Sequence, residues 1–278
     1  MEIYHRIGFN PRRNPALVTI VEKLGISYQT LPLPGYKVGL IYIDIAESDP
    51  TWPELHKALV QWPASDRFDT IFNPEEILSA EWLRAVPVYE KGEIKPDTPK
   101  WRYDLYEGYC RGCGAYERQK NPVKLAKEPK RPEGYFVSPV GPYLLLCSPS
   151  MEEMIREAGI QGYEEWPVLH YKTGEALENT VQLYIPHVTK PGLTRTEGLR
   201  QTQCAMCGRI KYQPHMRGVM YIKREAMEDV DDFDIVYSHE WFGSGHGAYR
   251  EILVSNRFAR LCLEKEWKGI RFKVVELV

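Results

Sequence analysis

The sequence has no long hydrophobic run. Its longest apolar stretches, such as Val140 to Cys147, are far too short to span a bilayer. The N-terminal segment has no basic stretch followed by an apolar one, so it does not resemble a secretory signal. We therefore expect a cytoplasmic protein with no membrane partner, in a compartment where thiols stay reduced.

The sequence also lacks a strong excess of one charge. It has 36 lysines and arginines against 38 aspartates and glutamates, for a net charge of −2. This near-neutral balance argues against general nucleic-acid binding, which usually needs a basic excess. The hydrophobic fraction of 43% is ordinary for a globular protein and is enough for one large core or two small ones.

Established catalytic motifs are absent as well: there is no P-loop, dinucleotide-binding glycine pattern, nucleophile elbow or kinase signature. His239 and His246 lie with Glu240 in a glycine-rich segment and could suggest a second metal or an acid–base pair. Their spacing is not that of HExxH, and no third ligand is evident. We expect a structural loop there, with Trp241 and Phe242 in the core, and no enzyme.

Cysteine is scarce, but four of the six cysteines form two CxxCG motifs. The four are Cys110, Cys113, Cys204 and Cys207. In a CxxC turn both sulfurs can face one ion, and the glycine that follows relieves the backbone where it turns back. Two such turns supply the four soft ligands that tetrahedral zinc prefers. We therefore predict one structural zinc ion per chain.

The interval between the two motifs is unusually long, since 90 residues, from 114 to 203, separate them. A shared ion would close a long loop and would stabilise the fold strongly. Each CxxC alone could instead be a redox pair, and a relic site without metal is a further alternative. Cys147 and Cys262 lie on apolar faces, where free cysteine packs as a small hydrophobic residue.

Local patterns predict an α+β fold. Trp52 to Trp62 is typical of a helix that ends before Pro63. Asn73 and Pro74 suit the N-cap and first position of a second helix, which should run to about Ala85. We predict an N-terminal α+β unit at residues 1–105 and a double-CXXCG region at residues 106–278, either as separate units or as one continuous globule.

The second region contains a weak internal repeat. Residues 143–162 and 250–269 align at a constant offset of 107, and each indicates a strand, a serine N-cap, an amphipathic helix and a glycine turn before another strand. The repeated units would span about residues 135–172 and 237–278. We predict two loosely repeated strand–helix–strand units joined by a zinc-ribbon-like four-cysteine site. Two unrelated αβ elements could give the same pattern.

Two segments carry concentrated charge. Residues 118–134 are basic and proline-rich, and residues 225–234 are acidic. Both are most simply solvated surface. The basic segment could also be a nucleic-acid-binding arm, and the acidic one a contact surface for a basic partner.

Six blocks of the sequence recur together in one known family. The blocks are residues 106–114 with Gln119 and Pro122, 127–130, 179–183, 204–208 with Lys211 and Tyr212, 240–245, and 253–255 with Gly269. Together they resemble the double-CXXCG family of bacterial, myxobacterial-type proteins, which is related to immunity proteins against swarming-inhibition and other polymorphic toxins. The resemblance covers most of the chain from about residue 70. It implies a protein that binds and neutralises a cognate toxin, with the four cysteines as its functional residues.

The leading hypothesis is therefore an immunity protein that binds a toxin domain without catalysis. The alternative is a zinc-ribbon module with a nucleic-acid-binding or regulatory role. Residues 120–131 would be its basic arm. A metalloenzyme at His239 and His246 is a third hypothesis. An ion that is already bound by four thiolates has no open coordination position for a substrate or a water molecule. This argues against the metalloenzyme hypothesis.

Overall fold

The structure is a computed structural model that describes residues 1–32, 39–62, 64–141 and 144–278. It divides into two compact units, residues 1–73 with 216–218 and residues 74–215 with 219–278. The first boundary thus follows Asn73, whereas the sequence placed it after residue 105. The difference arises because the strand Trp82–Pro87 pairs with two strands close to the C-terminus.

In its described residues, the first unit is an antiparallel sheet with two helices. Its elements are β1 (Glu2–Phe9), α1 (Pro15–Lys23), β2 (Gln29–Leu31), β3 (Leu40–Ala46), α2 (Trp52–Gln61) and β4 (Ser65–Ile71). The strands lie in the order β2-β3-β1-β4, so each helix connects two strands that flank a third. This is the split β-α-β order of the ferredoxin-like arrangement.

The core of this unit follows the two periodicities of its elements. Strand residues alternate between the core and the other face, and helix residues three or four positions apart share one face. The buried side chains are Ile7, Phe9, Leu17, Val21, Ile41, Ile43, Ile45, Leu55 and Ala58. The helix predicted from Trp52 is confirmed, and it ends at Gln61.

The second unit contains the remaining elements. They are α3 (Pro74–Ser79), β5 (Trp82–Pro87), α4 (Lys100–Leu105), β6 (Tyr106–Glu107), β7 (Arg118–Gln119), β8 (Lys124–Leu125), β9 (Leu146–Cys147), α5 (Pro149–Glu157), β10 (Glu164–His170), β11 (Ala176–Tyr184), β12 (Leu193–Thr194), β13 (Gln201–Gln203), β14 (Ile210–Tyr212), β15 (Met220–Ile222), a 3-10 turn (Arg224–Ala226), β16 (Ile235–Tyr237), β17 (Trp241–Phe242), β18 (Ile252–Ser255), α6 (Asn256–Glu264) and β19 (Ile270–Leu277). The fold class is mixed α+β, as predicted. Across the described ranges, no helix combines the length and the apolar character needed to cross a membrane.

The described residues of this unit form four sheets. The largest has the order β12-β15-β19-β5-β18-β16, and a second has the order β8-β10-β11-β9. A three-stranded sheet, β13-β14-β17, and the hairpin β6–β7 hold the two CxxCG motifs. The motifs therefore lie in small sheets rather than in the two larger ones.

The helix predicted from Pro74 to about Ala85 is wrong in its second half. Helix α3 ends at Ser79, and β5 begins at Trp82. This strand pairs with β18 on one side and with β19 on the other, so it occupies the interior of the six-stranded sheet. Sheet hydrogen bonds and burial on both faces outweigh the local preference of this segment for helix.

Both predicted strand–helix–strand segments are present as local elements. Ser148 accepts a hydrogen bond from the N–H of Met151 at the start of α5, and Ser255 accepts one from Phe258 at the start of α6. In each segment the two strands flank a third, antiparallel strand, which is β11 in one case and β5 in the other. The flanked strand follows the first segment in the chain but precedes the second. That the two are copies of one unit stays a prediction.

Candidate metal centre

Each CxxCG motif forms the tip of a β-hairpin. The first lies between β6 and β7, and the second lies between β13 and β14. In both turns the first cysteine donates its N–H to the carbonyl five residues later, at 2.8 Å for Ala115 and 2.9 Å for Arg209. The glycine N–H donates back to the carbonyl of the first cysteine at 2.8 Å in both turns. The two motifs thus have the same local geometry.

The two hairpin tips bring the four predicted cysteines together. The Sγ atoms of Cys110 and Cys204 lie 3.7 Å apart, as do those of Cys113 and Cys207. All four sulfurs lie within 4.8 Å of one another, and all four residues are free cysteines. Sulfurs placed about 2.3 Å from a central ion would be about 3.8 Å apart at the corners of a tetrahedron. The cluster therefore has the size of a tetrahedral four-sulfur site and could hold a metal ion.

The two turns differ in burial. Cys110 and Cys113 are buried, Cys204 is half-buried and Cys207 is exposed. The first turn packs into a cluster that includes Trp101, Tyr106, Tyr116 and Trp241. The rings of Tyr106 and Tyr116 stack with their centroids 3.8 Å apart. The first turn is therefore anchored in the core, and the second supplies its sulfurs from the solvent side.

Two of the three glycines in the two turns lie where a Cβ atom would meet a neighbouring segment. Gly114 and Gly208 have φ angles of +85° and +72°, in the region that favours glycine. A Cβ atom on Gly114 would clash with the carbonyl oxygen of His246, whereas one on Gly208 would meet open space. A Cβ atom on Gly112 would lie 3.1 Å from the Sγ of Cys204. A side chain at position 112 would therefore press on a sulfur of the opposite turn.

A lysine lies beside the sulfurs. The Nζ of Lys211 donates to the carbonyl oxygens of Cys113 at 3.2 Å, Gly245 at 2.6 Å and Gly247 at 3.1 Å. Burial lowers the pKa of Lys211, while the nearby Cys113 and Cys204 raise it. Four thiolates around a divalent cation carry a net negative charge, so the buried ammonium favours them electrostatically.

The two turns also set different thiol acidities. Hydrogen bonds from the backbone N–H groups of Cys207 and Met206 lower the pKa of Cys204 to about 6. Burial raises the pKa of Cys113 to about 12. Because the thiolate is the metal-binding form, Cys204 is ready to bind a cation at neutral pH, whereas Cys113 would give up its proton when a cation binds.

The histidines considered from the sequence take no part in this site. The four cysteines are the one metal-competent group of three or more His, Cys, Asp or Glu side chains found in the described part of the chain. The Nδ1 of His246 lies 3.1 Å from the carbonyl oxygen of Arg111, which ties the glycine-rich loop to the first turn. His239 is exposed. Trp241 and Phe242 are buried, as predicted.

The remaining two cysteines are also where the sequence placed them. Cys147 and Cys262 are almost fully buried in the second unit. Burial raises the pKa of both thiols well above the ordinary value. They are therefore unreactive core residues, separate from the four-cysteine site.

The sequence suggested that the basic segment, residues 118–134, is most simply solvated surface, but in the structure it is partly ordered and buried. It contains β7 and β8, and Val123 and Leu125 are fully buried because β8 pairs with β10. Several of its basic side chains have partners: Arg118 with Glu107 at 2.6 Å, Lys124 with Asp104 at 2.9 Å, and Arg131 with Thr180 at 2.8 Å.

The acidic segment is likewise only partly solvated. Asp229 is exposed and lies 2.9 Å from the Nζ of Lys190. Asp234 is buried, and its carboxylate accepts hydrogen bonds from the N–H of Gln161 at 2.9 Å and the hydroxyl of Ser255 at 2.5 Å. This last aspartate therefore has a structural role at the start of α6.

Sequence reasoning missed two features of the site. Lys211 takes the buried position of β14, between Ile210 and Tyr212, which are both more exposed. A single lysine in the middle of an apolar strand that follows a CxxCG motif is the signal that could have revealed it. Gly112 is the second feature, and its signal is a glycine between the two cysteines of the motif.

Comparisons with family models, with curated proteins and with solved structures find no match for this chain. The geometry of the four cysteines and of their surroundings therefore carries the interpretation of the metal site.

Proposed function

We propose that the four cysteines hold one structural zinc ion per chain as thiolates. The observation that carries this proposal is the 3.7 Å contact between sulfurs of two hairpin tips that lie 94 residues apart in the chain. Four sulfur ligands favour zinc over cations that prefer oxygen. They also close the coordination shell, so the ion would fix the two hairpins and would offer no position to a substrate.

The identity of the metal is tested on protein purified without added metal. Elemental analysis should find zinc and little iron. The protein should also be colourless, because zinc has a filled d shell and no redox chemistry. Iron at one per chain, with visible absorption from its thiolate ligands, would contradict the zinc assignment while keeping the four-cysteine site.

We further propose that the protein acts by binding, as a cytoplasmic immunity protein that neutralises a cognate bacterial toxin domain. The support is the resemblance of its sequence blocks to double-CXXCG proteins, together with the contacts between those blocks. Gln119 and Gln182 exchange two amide hydrogen bonds of 2.9 and 2.7 Å. Lys211 donates to Gly245. Blocks that are distant in sequence thus pack together in the unit that holds the cysteines.

The toxin hypothesis is tested by co-expression with the toxin domain encoded by the neighbouring gene. The protein should restore growth of poisoned cells and should co-purify with the toxin domain. A toxin domain from an unrelated source is the control and should not be neutralised. The hypothesis fails if no toxin is encoded nearby and no poisoned cell is rescued.

A zinc-ribbon nucleic-acid-binding module is the alternative, and it predicts binding that weakens steeply as salt rises. Its basic arm would be residues 120–131, where Lys124 pairs with Asp104 and Arg131 donates to Thr180. These contacts leave less free positive charge than the sequence suggested. We therefore keep protein binding as the proposed function and expect no binding to DNA or RNA at low salt.

A further inference from the structure

A cavity of about 440 Å³ lies beside the second cysteine turn. Cavities of roughly this size are typical of ligand-binding sites. Its lining includes Arg209, Tyr212, His239, Glu240, Trp241 and Arg250. Tyr212 lies on β14 and Trp241 on β17, and these two strands pair in parallel, with Tyr212 opposite Phe242 and Lys211 opposite Trp241. The cavity is therefore built on the same small sheet that carries the second cysteine turn.

Arg250 lines this cavity and also a second, narrower one formed with Tyr116, Tyr184 and Tyr237. Its guanidinium lies 4.6 Å from the ring centroid of Trp241, and its Nη1 donates to the carbonyl oxygen of Ser238 at 3.1 Å. The guanidinium is thus held at the junction of the two cavities by a cation–π contact and one hydrogen bond.

The charge of Arg250 has no acidic partner within ion-pair distance in the described parts of the chain. Burial is the largest influence on its pKa and lowers it; the nearby Tyr116 and Glu240 raise the pKa, and Arg209 lowers it. A half-buried guanidinium gains most from an anionic group that can accept two parallel hydrogen bonds. The geometry thus favours a ligand that carries a carboxylate or a similar planar anion.

The other charges around the cavity are already compensated. Glu240 accepts hydrogen bonds from the N–H groups of Gly192 and Leu193 at 2.8 and 2.9 Å. Arg209 lies 3.8 Å from Glu117. One guanidinium without an ion-pair partner among the described residues suits a single carboxylate, whereas a nucleic-acid chain needs a row of cations along its phosphates.

Exposed apolar side chains line the two cavities and lie in the adjoining cysteine turn. Met206 is 68% exposed in the second cysteine turn, Ile210 is 47% exposed in the first cavity, and Val188 is 38% exposed in the second. Apolar side chains around aromatic residues and an arginine are typical of protein–protein contact sites.

We propose that an acidic segment of a protein partner docks here, with one carboxylate bound by Arg250 and apolar neighbours resting on Met206, Ile210 and Val188. In taking the partner to be a protein, this site depends on the proposed function. The chemistry that recognises the segment is a carboxylate flanked by aliphatic side chains. The partner surface is therefore acidic and apolar at this point.

The test uses a fluorescein-labelled hexapeptide of alternating leucine and glutamate, with a leucine–glutamine peptide as the neutral control. Fluorescence anisotropy at low salt should show saturable binding of the acidic peptide only. Arg250→Gln should weaken that binding by about tenfold or more. Arg200→Gln removes an exposed arginine of the same unit and should change it less than about twofold.

Arg250→Lys keeps a cation over Trp241 but cannot form the bidentate hydrogen bonds that a guanidinium makes to a carboxylate. It should therefore weaken binding of the acidic peptide by about threefold or more. This variant decides the question if Arg250→Gln fails to fold. Absence of saturable binding, an equal effect of Arg200→Gln, or tighter Arg250-dependent binding of a labelled oligothymidylate would overturn the proposed site.

The peptide result and the toxin result are separable. Arg250-dependent binding of the acidic peptide without any toxin rescue would overturn the immunity function and keep the docking site. Toxin rescue without peptide binding would overturn the docking site and keep the immunity function.

Discussion

The sulfur of Cys110 lies 3.7 Å from the sulfur of Cys204, although the two cysteines are 94 positions apart in the chain. A tie between such distant points removes many conformations from the unfolded chain. For a covalent link, a loop of this length corresponds to about 4–5 kcal/mol in the chain-entropy model. We therefore expect the four-cysteine site to act as a staple that stabilises the second unit.

The first prediction concerns a single ligand. Cys113→Ser removes a buried ligand and should lower the free energy of unfolding by more than about 3 kcal/mol, because the binding energy of a structural ion contributes to folding. Chemical denaturation measures the change. Ala205→Ser, in the exposed second turn, keeps every sulfur and should leave stability unchanged. An unaltered unfolding curve for Cys113→Ser would mean that the sulfurs hold no ion.

The second prediction compares the matching glycines of the two turns. Both have positive φ angles, and this backbone strain alone should cost an alanine about 1 kcal/mol at either position. Gly114→Ala should cost considerably more than Gly208→Ala, because only at position 114 does the new Cβ clash with the backbone of His246. Thermal unfolding of the two variants measures the difference. Equal losses would contradict the described packing of the first turn against the glycine-rich loop.

The third prediction concerns the buried lysine. Lys211→Met keeps the apolar stem but leaves the carbonyls of Cys113, Gly245 and Gly247 without their donor. We expect a loss of about 3 kcal/mol in stability and weaker zinc binding, since the thiolates also lose a nearby cation. Chelator competition measures the zinc affinity. Lys172→Met, at an exposed position, is the control and should affect neither quantity.

The fourth prediction concerns pH. Burial, with a further contribution from Arg84, lowers the pKa of His215 to about 4. Between about pH 6.5 and pH 4 the unfolded chain therefore binds a proton at this histidine that the folded chain does not. The contribution of the uncharged His215 imidazole to the free energy of unfolding should be fully present above about pH 6.5. It should fall by up to about 3 kcal/mol as the pH drops to 4.

The control for this pH effect is His215→Asn, which removes the titrating group. Urea unfolding of both proteins should show the native protein losing stability faster than the variant across this pH range. Parallel pH profiles for the two proteins would contradict the depressed pKa of His215.

Local chemistry explains what the sequence predicts well. The two CxxCG motifs specify their own turns, because the spacing of sulfur ligands and the glycine that follows act within five residues. Helix α2 is predictable for the same reason, since its boundary signals and apolar face lie inside the segment. Cys147 and Cys262 are placed correctly by the apolar pattern around them.

Long-range pairing explains what the sequence does not predict. Strand β5 looks like the continuation of a helix until β18 and β19, near the C-terminus, pair with both of its edges. The boundary after Asn73 depends on the same pairing. The role of Lys211 depends on carbonyls contributed by the loop around Gly245, which local patterns do not bring into view.

A count of zinc and of reactive thiols in the same sample tests the four-cysteine site most directly. The native protein should contain one zinc per chain, and none of its six cysteines should react with a thiol reagent. Removal of the metal with a chelator should expose four reactive thiols, while Cys147 and Cys262 should react only after denaturation. A native protein without zinc, whose exposed Cys207 and half-buried Cys204 react at once, would contradict the metal site.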